Sequence, residues 1–217
     1  MRRAWCIIGL LLLTGCAGDS DVARVASLLY NSVTAAPMKV ARERAAEIPY
    51  ASVGIQLGSS DQVLFVLGET VAGELHWFAG EQSSVATRSG RVVRTVGLPY
   101  DLGGFRASPA NAADSAPASA AAQNEFLMDF PDLGVFGANA RCASRVIGDE
   151  EIEILGARIL THHVAERCTV QALRWNFEND FWYDRTTGYV WRSRQYIHPK
   201  SRPLTLEILR PEQQTPA

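Results

Sequence analysis

From Ile48 onward the chain alternates apolar and polar residues with a period of two, the spacing of half-buried strands. Residues 50–57, 62–67, 74–78, 85–88 and 92–96 are short runs rich in β-branched and aromatic side chains. Turn-forming residues separate them at 58–61, 80–83 and Ser89-Gly90. The Ser-Gly pair lies between Arg88 and Arg91 and suits a two-residue hairpin turn with positive φ. An antiparallel meander follows from this pattern. A second group of runs occupies 126–130, 140–147, 150–155, 158–175 and 204–209. Between the groups, residues 107–122 hold nine alanines, three serines and two prolines. Such a stretch buries too little apolar surface to offset its ordering entropy, so it reads as a flexible loop within one domain. Strands in series, with almost no helical pattern between them, predict a mainly β fold: an antiparallel sheet, curved or doubled over like a sandwich.

The period changes upstream. Val22, Val25, Ala26, Leu29 and Val33 recur at three- and four-residue spacing after Asp19 and Asp21, which predicts a short N-terminal amphipathic helix. Pro37 ends it, and residues 39–47 add a short second helical turn. Before this helix stands MRRAWCIIGLLLLTGC, with two arginines, an apolar core too short to span a bilayer, and a cysteine. That is an export signal. Its end, Leu-Thr-Gly-Cys, resembles the bacterial lipobox, which implies removal of residues 1–15 and acylation of Cys16; a plain secretory signal is the alternative. Several acyl chains anchor stably where one does not. Ala17 stands where retention in the inner membrane would call for Asp, so the periplasmic face of an outer membrane is the expected location.

Losing Arg2 and Arg3 takes the 21 Lys and Arg to 19, against 23 Asp and Glu, so residues 16–217 carry a formal charge of −4. No basic block is present, which argues against nucleic acid as a partner. Cys6 leaves with the signal. Cys142 and Cys168 remain as an even pair in an oxidising compartment, with no CxxC and no histidine at ligand spacing. A disulfide between them would close a loop of about 25 residues and stabilise by roughly 3 kcal/mol; two buried thiols are the alternative.

Catalytic patterns are weak. There is no GxSxG elbow and no glycine-rich phosphate loop opening a helix. His162 and His163 are neighbours on a strand and point to opposite faces. Glu74 and His76 share a face, a common pairing in β proteins. Glu150, Glu151, Glu153, Asp180 and Asp184 are the carboxylates a glycosidase would need to converge. Nothing here composes an active site, and neither metal nor cofactor is expected.

The stretch NDFWYDRTTGYVWRSRQYIHP (Asn179 to Pro199) reads as a hairpin about Asp184–Gly188. With Tyr183 opposite Val190, Trp182 would pair with Trp191 on one face. Tyr183, Arg192, Arg194 and Tyr196 would share the other. Core packing is expected for the tryptophans, and the latter four are the candidate glycan or partner contacts.

Four stretches, in order, resemble the YjbF/GfcB family of bacterial lipoproteins: IPYASVGIQLG (Ile48 to Gly58), Trp77, TRSGRVVRTVGLPYDL (Thr87 to Leu102) and WNFENDFWYDRTTGYVWRSRQYIHP (Trp175 to Pro199). The lipobox at Cys16 fits as well, and the alanine-rich stretch is the clearest departure. The resemblance implies an all-β, half-barrel-like body and a non-enzymatic accessory in export of exopolysaccharide, including group 4 capsule. It implies work beside an outer-membrane β-barrel and other export proteins, with polysaccharide itself as a possible ligand. Two other readings stay open. One is a periplasmic carrier of lipid or another amphiphile, which requires an apolar hollow inside the sheet. The other is a glycan-modifying enzyme.

Overall fold

A computed structural model describes residues 37–108 and 123–212. The helix expected at 19–33, Cys16 and most of the alanine-rich stretch lie outside the described residues. One short helix, α1 (Arg42–Ala46), precedes twelve strands. They are β1 (Ser52–Leu57), β2 (Val63–Val71), β3 (Glu74–Ala79), β4 (Ser83–Arg88), β5 (Arg91–Val96), β6 (Gly104–Ala107), β7 (Gln123–Phe130), β8 (Val135–Ile154), β9 (Ala157–Val170), β10 (Trp175–Asp184), β11 (Val190–Gln195) and β12 (Leu204–Arg210). All belong to one antiparallel sheet ordered β5-β4-β3-β2-β1-β12-β11-β10-β9-β8-β7-β6. Every neighbour is joined by a hairpin except β1 and β12, where the two ends of the fold meet.

The sheet curls until its ends approach each other. Thr95 N donates to the Leu102 carbonyl and Gly103 N to the Asp129 carbonyl, both at 2.9 Å, so the β5–β6 loop bridges the seam of a nearly closed barrel. Ser89 (φ 48°) and Gly90 (φ 75°) form the predicted positive-φ turn. That turn rests on β11: a Cβ on Gly90 would lie 2.4 Å from Val190 Cβ. Gln195 fastens the contact, accepting from Val92 N at 3.0 Å and donating to the Gly90 carbonyl at 2.8 Å.

Inward residues fill the interior. Trp77, Phe130, Phe181, Met128, Leu102 and Leu204 are fully buried, and Trp77 Nε1 donates to Thr87 Oγ1 at 2.8 Å. Among the described residues, these side chains occupy the centre of the core. Cys142 and Cys168 are disulfide-bonded across β8 and β9 within this core. Beside them, Arg91 and Glu166 make a bidentate pair at 2.9 and 2.8 Å, with side chains 7% and 0% exposed. Three rings, Phe105, Phe126 and Phe181, stand 4.9–5.0 Å from the Arg91 guanidinium carbon. The buried charge is therefore met by an opposite charge and by π faces.

Two of the expected strands, 140–147 and 150–155, are one twenty-residue strand, β8. Its even residues are buried early (Ala138, Ala140, Cys142) and late (Ile152, Ile154), but the alternation lapses between them, where Val146 and Ile147 are exposed. There a register shift between Val146 and Gly148 inserts one residue against β9. One extra residue turns the pleat over. The far halves of β8 and β9 thus form an arm that buries the opposite face against the outside of the sheet. Arg192 Nη2 donates to the Glu153 carbonyl at 2.9 Å, and Arg42 of α1 donates through Nε and Nη2 to the Leu155 carbonyl at the arm's tip. The run expected at 158–175 is β9, a 3-10 turn (Gln171–Leu173) and Arg174 at φ 49°. Strand β6 is an addition. Ala107 ends it, and Ser108 N still donates to the Glu125 carbonyl at 2.9 Å.

Candidate functional site

The β10–β11 hairpin keeps the expected turn but not the expected faces. Asp184 N donates to the Tyr189 carbonyl at 2.7 Å, and Gly188 takes φ 71°. The Asp184 carboxylate accepts from Thr187 N and Thr186 N, both at 2.9 Å, and these backbone donors hold its pKa below the usual carboxylate range. Tyr183 pairs with Val190 as expected, but a register shift then sets Trp182 opposite Arg192 and leaves Trp191 as the extra residue. The expected Trp182–Trp191 pair therefore does not form, and Trp182 shares the outer face with Arg192 and Arg194.

Tyr183 is corrected as a contact residue. It points inward with Val164, Phe181 and Val190, 6% exposed, and its hydroxyl has no hydrogen-bond partner among the described residues. Burial raises its pKa well above that of a free phenol. Arg192 and Arg194 stay outside, whereas Tyr196 is half-buried and packs against the core beside Phe177. Arg194 lies 3.5 Å from Asp180 and stacks over Tyr196 at 5.5 Å, with 42% of its side chain exposed against 17% for Arg192.

These residues border a cluster that three strands assemble. His163 of β9 stacks on Trp182 of β10, centroids 4.5 Å apart and planes 13° from parallel. Its Nε2 is 2.9 Å from Asp180 and its Nδ1 3.1 Å from Glu150, which comes from the arm. Trp182 Nε1 donates to the same Glu150 carboxylate at 2.8 Å, and the Arg192 guanidinium carbon is 5.8 Å from the Trp182 ring centre. Beneath the arm, Glu207 of β12 receives Arg192 Nε (2.8 Å), Lys39 Nζ (3.0 Å) and Gln62 Nε2 (2.9 Å). Burial raises the Glu207 pKa; Arg192, then the bonds from Lys39 and Gln62, outweigh it and hold the carboxyl below its ordinary value. His162, one residue from His163, turns the other way to Asp149 at 3.0 Å, which Arg185 also holds at 2.7 Å.

Chemically the cluster is a surface of paired groups. Glu150 and Asp180, two carboxylates considered for glycoside chemistry, flank an imidazole instead of an open space between themselves. Asp184 caps its turn, and Glu74 is held by Arg88 at 3.0 Å with His76 at 3.6 Å. Glu151 faces Arg158 at 3.3 Å. Among the described residues the one grouping with metal-ligand geometry is Cys142, Cys168 and Glu166, where the sulfurs are bonded together and Arg91 holds the carboxylate. Exposed donors and acceptors beside partly covered aromatic rings suit contact with a hydroxyl-rich polymer or a protein surface.

The sequence reading missed the roles of His163, Trp182 and Glu207. The register that joins His163 to Trp182 depends on the turn at Gln171–Arg174, where no glycine marks the positive φ.

Comparison with known proteins adds lineage. The family described as group 4 capsule polysaccharide lipoprotein GfcB, YjbF matches residues 24–209. The chain is 25% identical over 217 residues to the uncharacterized lipoprotein GfcB of Escherichia coli K12, covering 97% of this chain and 99% of that one. It is 24% identical over 225 residues to the uncharacterized lipoprotein YjbF of the same organism, covering 99% and 100%. Among solved structures, the hypothetical lipoprotein YmcC of Escherichia coli K12 matches with a TM-score of 0.68 at 24% identity, over 92% of this chain and 99% of that one. That likeness shows the fold.

Proposed function

Because the chain belongs to the YjbF family of group 4 capsule polysaccharide lipoproteins, we propose that it is a non-enzymatic accessory in export or assembly of an extracellular or capsular polysaccharide. In this reading Cys16 carries the lipid anchor and Ala17 directs it to the outer membrane, with the β domain on the periplasmic face. The domain works by contact with other export proteins, an outer-membrane β-barrel among them, or by holding polymer loosely. The observation that carries the reading is the family match over nearly the whole domain. The outer face adds support: Glu150 and Asp180 are tied to His163, Trp182 and Arg194, an arrangement for contact more than for turnover.

A clean deletion in a strain without a paralogue tests this. Surface polysaccharide should be lost, restored by the wild-type chain, and not restored by Cys16→Ser. Normal polymer export in the deletion strain would sink the proposal. Arg194→Glu with Tyr196→Ala should reduce crosslinking to the barrel partner while the protein still folds. Unchanged crosslinking would move the contact surface elsewhere.

A further inference from the structure

The arm leaves one opening where it meets α1 and β12. Ala45 and Ala46 of α1 and Ala157 of β9 are too small to fill the space between the helix and the arm. A groove of about 570 Å³ remains, walled by Ile154, Ile159, Trp191 and Leu209. Ligand sites typically occupy roughly 300–1,000 Å³ with mostly apolar walls and few polar groups. Among the described residues, the charged ones lining the groove are Arg42 and Arg210, both basic. Arg42 is engaged with the Leu155 carbonyl. Arg210 has no carboxylate partner among the described residues. An apolar trough whose charge is wholly positive complements a hydrocarbon chain ending in an anion.

We propose that this groove binds a single-chain anionic amphiphile, its alkyl chain along the Ile154–Trp191 wall and its head group at Arg210. The site is independent of the capsule role and differs from a carrier's hollow, since it lies outside the filled interior. It would place an amphiphile between the arm and the sheet, where occupancy alters how the tip seats on α1.

The test uses residues 16–217 carrying Cys16→Ser, exported behind a cleavable signal and free of detergent. The probe is 11-(dansylamino)undecanoic acid, whose emission rises in apolar surroundings. Saturable binding, competed by palmitate and about tenfold less well by 1-hexadecanol, is expected, since one charge-assisted contact corresponds to about a tenfold change. Ala46→Trp, at an exposed helical position, should fill the groove and abolish binding, and Arg210→Gln should weaken it about tenfold. Thermal melts confirm that both variants fold. No saturable signal, or a signal both variants leave unchanged, overturns the proposal. Equal competition by the alcohol overturns the assignment of an anionic head group. Tighter probe binding after removal of residues 213–217 would show that the chain's own C-terminus occupies the groove, which also overturns it.

Discussion

Replacing Arg91 with Met leaves the Glu166 carboxyl inside the barrel with its two guanidinium bonds, at 2.8 and 2.9 Å, gone. The Glu166 side chain is 0% exposed, so water cannot take the place of the arginine. What remains is a 3.3 Å bond from Asn179 Nδ2. Removing one partner of such a pair costs about 3–5 kcal/mol, a large fraction of the roughly 5–15 kcal/mol that holds a domain folded. Glu166→Met strands the guanidinium among Phe105, Phe126 and Phe181 and should cost a similar amount, less whatever those π faces return, about 0.5–2 kcal/mol. The double variant is the informative one. Two methionines fill comparable volume without charge, so its loss should be about 1 kcal/mol, mainly the bond Asn179 no longer makes. The single losses would then exceed the double by at least about 3 kcal/mol, a coupling that a double-mutant cycle resolves. Urea unfolding followed by tryptophan fluorescence, under non-reducing conditions, measures all four proteins. Single losses under about 1 kcal/mol, or a double loss equal to the sum of the singles, would refute the account of this pair as mutually dependent charges.

Three further outcomes are expected. Cys142→Ala with Cys168→Ala should cost about 3 kcal/mol in the same assay, for a bridge spanning 26 positions; an unchanged urea midpoint would show that the bridge adds no stability. Because Arg192 and Lys39 hold Glu207 below its ordinary 4.5, its contribution is complete above that pH and is lost as pH falls through the lower folded value. Glu207→Gln should therefore be less stable than wild type at neutral pH, with the difference shrinking in acid; a pH-independent difference in melting temperature would refute the titration. Tyr183→Phe removes a buried hydroxyl that has no partner among the described residues and should be neutral or stabilising by up to about 1 kcal/mol. A loss beyond that would reveal a role for the phenol.

Much of the sheet is legible in the sequence because alternation and turn residues are local signals. Ser89-Gly90 and Asp184–Gly188 close their hairpins as their residues dictate. Errors collect where one residue is inserted into a ladder. Ile147 and Trp191 both sit at register shifts, and neither residue type advertises a bulge. At Trp191 the shift separates it from Trp182 and brings Arg192 opposite instead, which is why Tyr183 lies on the dry face and Trp182 beside the arginines. At Ile147 even-numbered residues are buried before and after the shift but not across it, and the surface they face changes. The outer cluster was hidden for a related reason. Glu150, His163 and Asp180 come from three strands, and only the register shift in β8 puts Glu150 on the same face as the imidazole. Glu207 reads as an ordinary polar position of the last strand until Lys39, Gln62 and Arg192 are seen to converge on it.

The join between β1 and β12 sets the order in which this chain can finish folding. Strands β2 to β5 can add to β1 as they emerge, and β6 to β11 can pair among themselves. The partner of Ser52–Leu57, however, is Leu204–Arg210, near the chain's end. Until that segment arrives, the edge of β1 is unpaired and Val53 and Ile55 lack part of their cover. Pairings at such separation are slow because loop closure precedes any gain from contact. A chain threaded N-terminus first through a translocation pore would therefore stay incomplete, and pliable enough to pass, until its last strand is through. The same delay exposes an open strand edge to other chains. Holding factors that shield this edge, and not the barrel's final stability, would then govern how much of the protein reaches its folded state.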